Sequence, residues 1–465
     1  MNNKMIEQAI ARAEQAIAKK RFKEAENFCA EVLAVSEHPA ALAFLGYIAT
    51  QGGDAERGVT LLSRALQLQP ENANWHSHLG LAYRRVARLE EAKAVAERSV
   101  RLDAASAQYL VNLANIYIDL DDRERAVRCL LQAVGLQPGF ADGHLALSEY
   151  LLAQGEFDPG WIEYEWRTGS SASPVTINGM TAAKWNGMKI PNGRLLVMCD
   201  QGYGDTIQFA RYIPLAAERC QELVLACRAE MAPLFKDIAG VSQCCHFRGD
   251  TFHLGDIPNH SAYVLLASLP YLFRTQPDTI PREVPYLKAK PARVAHWRER
   301  FAATLPAGAK RIGLAWTGKP MNVNDWRRSM PLSQLASLAD AGSAAFVSLQ
   351  KPMPPRDWAM VPLFHGMTDI SEDLTDYGET AAVIENLDLV ITVDSSVAHL
   401  AGALGKPVWI LLPRTPDWRW LLDREDSPWY PTARLFRQQE HGKWDAPVKR
   451  MRACLSEFLA QGAEG

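Results

Sequence analysis

The chain has 465 residues, which at roughly 150 per domain predicts about three domains with ample cores and excludes a small stapled module. Hydrophobic residues make up 48% and charged residues 22%, a globular composition that excludes long disorder. Fifty Lys and Arg (50) against 53 Asp and Glu leave a net charge of -3, so no overall basic field draws the protein to nucleic acid or anionic lipid.

From Met1 the sequence runs straight into a polar helical pattern, and no apolar run approaches the roughly 18 residues of a membrane span, so a cytoplasmic location is expected. The 8 cysteines include no C-x-x-C pair, which predicts buried free thiols rather than a zinc site or a disulfide framework.

A repeat occupies the first third. Leu45, Leu79, Leu113 and Leu147 recur every 34 residues, each followed by a small residue: Gly46, Gly80, Ala114 and Ser148. Twelve positions on come Gly58, Ala92, Ala126 and Gly160, and Pro70, Ala104 and Pro138 close three of the units. Small residues at these columns let two antiparallel helices approach, and proline ends the second helix. The pattern resembles the tetratricopeptide repeat, with an earlier, degenerate unit around Ala25. Solenoids of this kind present a groove for a peptide or protein. Relatives that glycosylate intracellular proteins carry asparagines at the sixth and ninth positions of each repeat. Here those columns read Phe44, His78, Asn112, Ala146 and Tyr47, Leu81, Asn115, Glu149, so only one unit fits. Phe44, Tyr47, His78, Asn112 and Asn115 are the candidate acceptor-groove residues; the alternative for Phe44 and Tyr47 is packing between repeats.

From Trp161 onward the composition changes, with 12 of the 13 tryptophans on that side. Residues 168–192 read as a linker or loop. Apolar runs of strand length follow at 195–198, 223–226, 264–266, 312–316, 346–349, 389–393 and 408–412, separated by helical stretches. Fully apolar strands alternating with helices predict parallel sheets covered on both faces, in two doubly wound units.

Three motifs sit at strand ends. Asp200-Gln201-Gly202-Tyr203-Gly204-Asp205-Thr206 leads into a helix predicted over 207–218. A dinucleotide fingerprint needs a third glycine where Ile207 stands, so NAD binding is rejected. Asp205 is a candidate general base, or else a helix cap. Asp394-Ser395-Ser396-Val397-Ala398-His399 follows the 389–393 strand, with Ser395 as N-cap. A helix start with two hydroxyls at the carboxyl end of a parallel strand is a phosphate cradle, and His399 lies in its first turn. Trp316-Thr317-Gly318-Lys319-Pro320, followed by Asn324-Asp325-Trp326-Arg327-Arg328-Ser329, puts cations on a third loop, where they can neutralise a leaving diphosphate. A D-x-D string of the metal-dependent kind, Asp119-Leu120-Asp121, falls in a repeat turn and is discounted.

Together with the strings from Gly202 to Tyr212, Asp394 to Pro407 and Pro413 to Leu421, these motifs resemble the bacterial tetratricopeptide-repeat glycosyltransferases. Their catalytic half is similar to heptosyltransferases and, more distantly, to O-GlcNAc transferase. The resemblance implies an α-solenoid followed by an α/β GT-B architecture of two Rossmann-like domains. The expected boundaries are 1–167 for the repeats, 168–305 for the acceptor-side domain and 306–465 for the nucleotide-sugar side, with a last helix near 449–459 packing back on the first Rossmann-like domain. Asp205 matches the catalytic base, and Asp394, Ser395, Ser396 and His399 match the donor-phosphate turn. Gly202, Gly204, Lys319, Asn324 and Arg328 complete the implied donor site. No metal or other cofactor is expected. Asp417, Trp418 and Trp420 are typical of the subfamily, with the tryptophans read as core. The expected activity is sugar transfer from a nucleotide sugar to a protein acceptor, flagellin among the possibilities. The alternatives are a transferase acting on a surface-glycan precursor and a non-catalytic adaptor that binds a protein and a nucleotide sugar.

Overall fold

The computed structural model describes residues 2–461 apart from 172, 174, 175, 179, 181, 248–250, 254–256, 258, 320–323, 363 and 365. The chain forms two compact units, Met1–Leu147 and Ser148–Gly465.

The first unit is a stack of helical hairpins: α1 (Asn3–Ala18) with α2 (Phe22–Leu33), α3 (Pro39–Gln51) with α4 (Ala55–Leu68), α5 (Ala73–Arg85) with α6 (Leu89–Leu102), and α7 (Ala107–Asp119) with α8 (Arg123–Leu136). Each turn carries its own stop and start. Asp54, Asn72, Ser106 and Asp122 accept from the backbone N–H three residues on, satisfying a donor the helix start would otherwise leave unpaired. The small-residue columns mark where helices touch. A Cβ on Gly46 would lie 2.8 Å from Leu62 Cγ, and one on Gly58 only 3.0 Å from the Gly46 carbonyl oxygen. The degenerate first unit, α1 and α2, buries Ala9, Ala13, Cys29 and Val32 against Ala41 of α3. Helix α9 (Ala141–Ala153) runs across the division between the units and leads to α10 (Phe157–Tyr164).

The second unit holds two larger parallel sheets. The strands of its first half are β1 (Thr176–Asn178), β2 (Ala183–Lys184), β3 (Ile190–Met198), β4 (Cys220–Arg228), β5 (Val241–Phe247), β6 (Thr251–His253) and β7 (Ala262–Leu265). Five of them form a sheet in the order β2-β7-β3-β4-β5, with β1 and β6 paired separately. The second half adds β8 (Lys310–Ala315), β9 (Ala344–Ser348), β10 (Thr368–Asp369), β11 (Leu389–Val393), β12 (Val408–Leu412) and β13 (Ala433–Arg437), ordered β10-β9-β8-β11-β12-β13. All these pairings are parallel. The order reverses beside β3 in one sheet and beside β8 in the other, and at such a switch point the loops diverge and open a crevice at the strands' carboxyl ends. The fold is thus a helical-repeat solenoid followed by doubly wound α/β halves.

Two expectations are corrected. The helix predicted over 207–218 begins earlier, as α11 (Tyr203–Phe209), and gives way to a 3-10 turn at Ala210–Tyr212 before a short helix at Ile213–Ala217. Pro214 has no N–H to give residue 210, so the ladder breaks there. The last helix, Asp445–Ala460, packs on its own half rather than on the first: Val448, Met451 and Leu455 join Ile312, Leu314, Ile391 and Leu411, and the Ser456 hydroxyl donates to the Ala341 carbonyl at 2.8 Å.

Candidate functional site

The loop after β3 is fixed from below. Asp200, 3% exposed, accepts from Arg167 Nε at 2.9 Å and from the Ala267 N–H at 3.2 Å, while Arg228 at the end of β4 donates to the Gln201 carbonyl at 2.6 Å. Gly202 then caps α11 in an extended conformation. Gly204 is required by a close approach: a Cβ there would sit 2.8 Å from His399 Cδ2 and 3.7 Å from Ser396 Cα. The first turn of α11 therefore lies directly on the helix Ser396–Ala403 from the other half.

That helix follows β11 as expected, with Ser395 extended at its N-cap. The Ser395 hydroxyl bonds Thr392 Oγ1 at 3.0 Å instead of capping the helix, and Tyr377 donates its hydroxyl to Ser396 Oγ at 2.8 Å. His399 is buried, shares a 2.8 Å hydrogen bond with the Tyr430 hydroxyl through Nδ1, and stacks on Trp420 at 5.3 Å. Burial first, then the cations Arg419, Arg211 and Arg328, hold its imidazole well below the usual range, so it is neutral. Across the β8–β11 crevice, Arg328 donates through Nη1 to the Asp394 carbonyl at 2.8 Å and through Nε to Asp325 at 3.2 Å. Burial and the neighbouring Asp417 push the Asp394 carboxyl up to about 6, against the pull of Arg328 and Arg419.

Between these loops stands a guanidinium that the sequence reading passed over. Arg419, 7% exposed, donates to the Asp205 carboxylate, to Asp417 at 2.7 Å and to Gln208 Oε1 at 2.6 Å, and lies over the Trp418 ring at 4.3 Å. Burial raises the Asp205 carboxyl above the ordinary range; Arg419 opposes the rise, and Asp417 and Asp200 add to it. The Nε2 of fully buried Gln208 has no partner among the described residues, which leaves one donor open beside the cluster. Glu149 on α9 belongs to the same electrostatic neighbourhood, acted on by Asp417, Arg419 and Asp205.

Gly202, Gly204, Asp205, Arg328, Asp394, Ser395, Ser396 and His399 are thus brought together. Lys319 and Asn324 are exposed on the loop to either side of 320–323, which lies outside the described residues, as does Pro320 of the motif. Trp418 and Trp420 are buried, at 3% and 0%, as core side chains. Asp417, Arg419, Gln208, Tyr377, Tyr430 and Glu149 were not singled out for the site. Arg419 and Asp417 do stand in the Pro413–Leu421 string, but nothing local shows that they meet Asp205.

The groove candidates belong to the first unit. Phe44 is half-buried and packs against the cluster formed by Ala9, Ala13, Cys29, Val32 and Ala41. Tyr47 lies 4.6 Å from His78, ring to ring, and desolvation lowers the His78 imidazole to about 4. Asn112 donates to Ser77 Oγ at 2.8 Å and accepts from Gln108 Nε2 at 3.0 Å, so its amide is engaged within the unit; Asn115 is half-buried. In the D-x-D string Asp119 is bound by Arg84 at 2.6 Å and Asp121 by Arg123 at 2.9 Å. The thiols are free, but only Cys29, Cys199 and Cys227 are buried; the other five are half-buried.

Comparison with known proteins bears on this geometry. Residues 374–446 match the family model of glycosyltransferase family 9 (heptosyltransferase), and residues 76–106 and 107–140 each match that of a tetratricopeptide repeat. The chain couples tetratricopeptide repeats to a heptosyltransferase-like domain. The matched stretch of that domain contains the Asp394–His399 turn, Asp417, Arg419 and Tyr430. Protein FlbA of Caulobacter vibrioides is 27% identical over 425 residues, covering 86% of this chain and 70% of its own. Among solved structures, a tetratricopeptide-repeat protein of Thermus thermophilus is 20% identical over 36% of this chain and 91% of its own, with a TM-score of 0.33. A MamA protein of Desulfovibrio magneticus is 18% identical over 37% of this chain and 99% of its own, with a TM-score of 0.31. Among the described residues no helix is long and apolar enough to cross a membrane.

Proposed function

We propose that the protein is a cytoplasmic GT-B glycosyltransferase that moves a sugar from a nucleotide-sugar donor to a protein acceptor recruited by the repeats. The observation that carries this reading is that the family 9 match falls on the loops facing Asp205, at the carboxyl ends of parallel strands. The donor diphosphate lies at the start of the Ser396–Ala403 helix, where amide N–H groups and the helix dipole favour anions, with Arg328 alongside. Lys319 and Arg328 supply the positive charge that stabilises the departing diphosphate, so the reading needs no metal. The acceptor hydroxyl gives its proton to a carboxylate of the cluster around Arg419, in which Asp205 is the member the family resemblance implies. Eight free cysteines agree with a reducing compartment. Flagellin is the first acceptor to test.

The test has two stages. Thermal stability is measured with UDP-, GDP-, ADP-, dTDP- and CMP-linked sugars; a donor at 100 times its Kd adds about 2.7 kcal/mol. The stabilising donor is then used in a transfer assay with wild type and Asp205→Ala. Transfer by wild type, lost in Asp205→Ala with donor binding kept, supports the reading. Binding without transfer to any protein or glycan acceptor favours the adaptor.

A further inference from the structure

We infer that Tyr430 is a positioning residue for the donor: its hydroxyl fixes the His399 imidazole in the tautomer that carries its proton on Nε2, and so turns a hydrogen-bond donor toward the diphosphate. The inference rests on the glycosyltransferase reading and adds to it the residue that sets His399.

The two ring nitrogens of His399 have different surroundings. Nδ1 shares its 2.8 Å hydrogen bond with the Tyr430 hydroxyl. Nε2 has no partner among the described residues, yet it is not one of the polar atoms sealed from solvent. It lies where the two strand-end loops meet. A Cβ on Gly204 would be 3.4 Å from Nε2 and 3.7 Å from Ser396 Cα, at the start of the helix proposed to take the diphosphate.

The proton of the Nδ1 bond is placed by matching donors to acceptors. Burial holds the Tyr430 phenol well above its ordinary range, so the hydroxyl keeps a proton to give. Of the polar groups beside it, Arg211 has only N–H donors, and Tyr286 already gives its own proton to the Ile207 carbonyl at 3.0 Å and accepts from Arg211 Nη2 at 3.1 Å. Nδ1 is the acceptor that remains. A neutral imidazole that accepts at Nδ1 carries its proton on Nε2. The opposite arrangement, with Nδ1–H donating to Tyr430, would strand the phenol proton in the interior with no acceptor. The cations Arg419, Arg211 and Arg328 oppose a second proton on the ring.

The chain holds this pair in place from both sides. Arg211, 5% exposed, donates to the carbonyls of Gln208 at 2.8 Å, Pro281 at 3.1 Å and Trp429 at 2.8 Å, and its guanidinium lies over the Tyr430 ring at 4.9 Å. The bond to the Trp429 carbonyl pins the backbone directly before Tyr430. Gly402, one turn after His399, lets the phenol ring lie on the helix, since a Cβ there would be 2.5 Å from Tyr430 Cγ. Trp420 stacks on the imidazole at 5.3 Å with 23° between the planes. An N–H aimed at a diphosphate oxygen makes a charge-assisted hydrogen bond that strengthens as charge gathers on the leaving group. The other tautomer would present a lone pair to the same oxygen.

The experiment uses the full chain as wild type, Tyr430→Phe, His399→Gln and the double variant, with melting temperatures measured alongside. The probes are inorganic pyrophosphate and the UDP-, GDP-, ADP- and dTDP-linked sugars. A glutamine amide nitrogen stands three bonds from Cβ, as Nε2 does, so His399→Gln offers a donor that needs no tautomer. Nitrogen NMR of histidine-labelled protein, assigned by the signals missing from His399→Gln, is expected to show His399 neutral and protonated on Nε2. Tyr430→Phe is expected to mix the two tautomers and to weaken binding of the probe by about tenfold; in the His399→Gln background the same substitution changes affinity by less than about twofold. A wild-type proton on Nδ1, a Tyr430→Phe protein with wild-type affinity, or an equal loss in the His399→Gln background overturns the inference and leaves the transferase reading standing. A wild type that binds none of the probes overturns both.

Discussion

The Arg419 guanidinium bonds the Asp205 carboxylate across 214 residues of sequence, joining the loop after β12 to the first turn of α11. The same guanidinium reaches Asp417 at 2.7 Å while being 7% exposed, so a buried cation is balanced by two carboxylates from the two halves of the second unit. Removing it leaves both acids without their partner. Arg419→Met is expected to destabilise the protein by about 1–3 kcal/mol, the cost of leaving polar partners unsatisfied, because the two carboxylates left behind keep part of their solvent contact at 24% and 36% exposure, read as a fall in urea midpoint. Arg419→Lys keeps the charge but not the fork that bonds Asp205, Asp417 and Gln208 together, so its midpoint falls less while its transfer rate still drops. Equal midpoints for wild type and Arg419→Met would show that the pairing contributes nothing to stability.

Gly204 offers a steric test of how closely the two halves must meet. A methyl at this position points at His399 Cδ2 from 2.8 Å, and the imidazole cannot swing aside because Tyr430 and Trp420 hold it. Gly204→Ala is expected to cost about 1–3 kcal/mol, typical of overpacking, and to weaken donor binding at least tenfold by displacing the start of the Ser396–Ala403 helix. Calorimetric titration of the variant with the donor nucleotide checks this. A wild-type affinity would mean that the contact is slack.

What was legible in the sequence is whatever periodicity and strand-end motifs encode. The repeat phasing survives because Gly46 and Gly58 answer to local contacts between neighbouring helices, and the strands at 389–393 and 408–412 are wholly apolar because both faces of their sheet are covered. Strand β5 was missed because it is an edge strand whose side chains are all partly or fully exposed, so its apolar signal is weak. The donor turn was found because a helix start after a parallel strand has a local signature. The Arg419 cluster was not, since Asp205 and Arg419 stand 214 residues apart and only the packing of the two α/β halves brings them to one place.

The first unit carries its own pH signature. His78 is held neutral by desolvation, its imidazole lowered to about 4. An unfolded chain binds the proton near 6.5, so between these values the unfolded state holds more protons and stability falls as pH falls. The loss begins near pH 6.5 and is complete below about 4, amounting to a few kcal/mol. His78→Phe, which keeps a ring against Tyr47, is expected to flatten this slope. Urea titrations at pH 7.5 and pH 5 for both proteins provide the measurement; parallel slopes would place the acid sensitivity elsewhere.

Two cations were assigned to the donor's diphosphate, and the structure separates them. Arg328 is held by Asp325 at 3.2 Å and by the Asp394 carbonyl at 2.8 Å, directly before the Ser395–Ser396 turn. Lys319 is exposed on the other arm of the same loop. A cation already fixed at the anion site loses little freedom when the ligand arrives, whereas a free lysine must be ordered first and is screened by solvent until then. Arg328→Ala is therefore expected to weaken binding of the donor nucleotide by tenfold or more and Lys319→Ala by no more than threefold, both measured at low and at physiological salt. The Lys319 effect should fade as salt rises, because an exposed charge acts through screened water, while the Arg328 effect should persist. Equal losses in the two variants, with equal salt dependence, would mean that Lys319 is drawn into the site by the ligand and carries as much of the diphosphate's charge as Arg328.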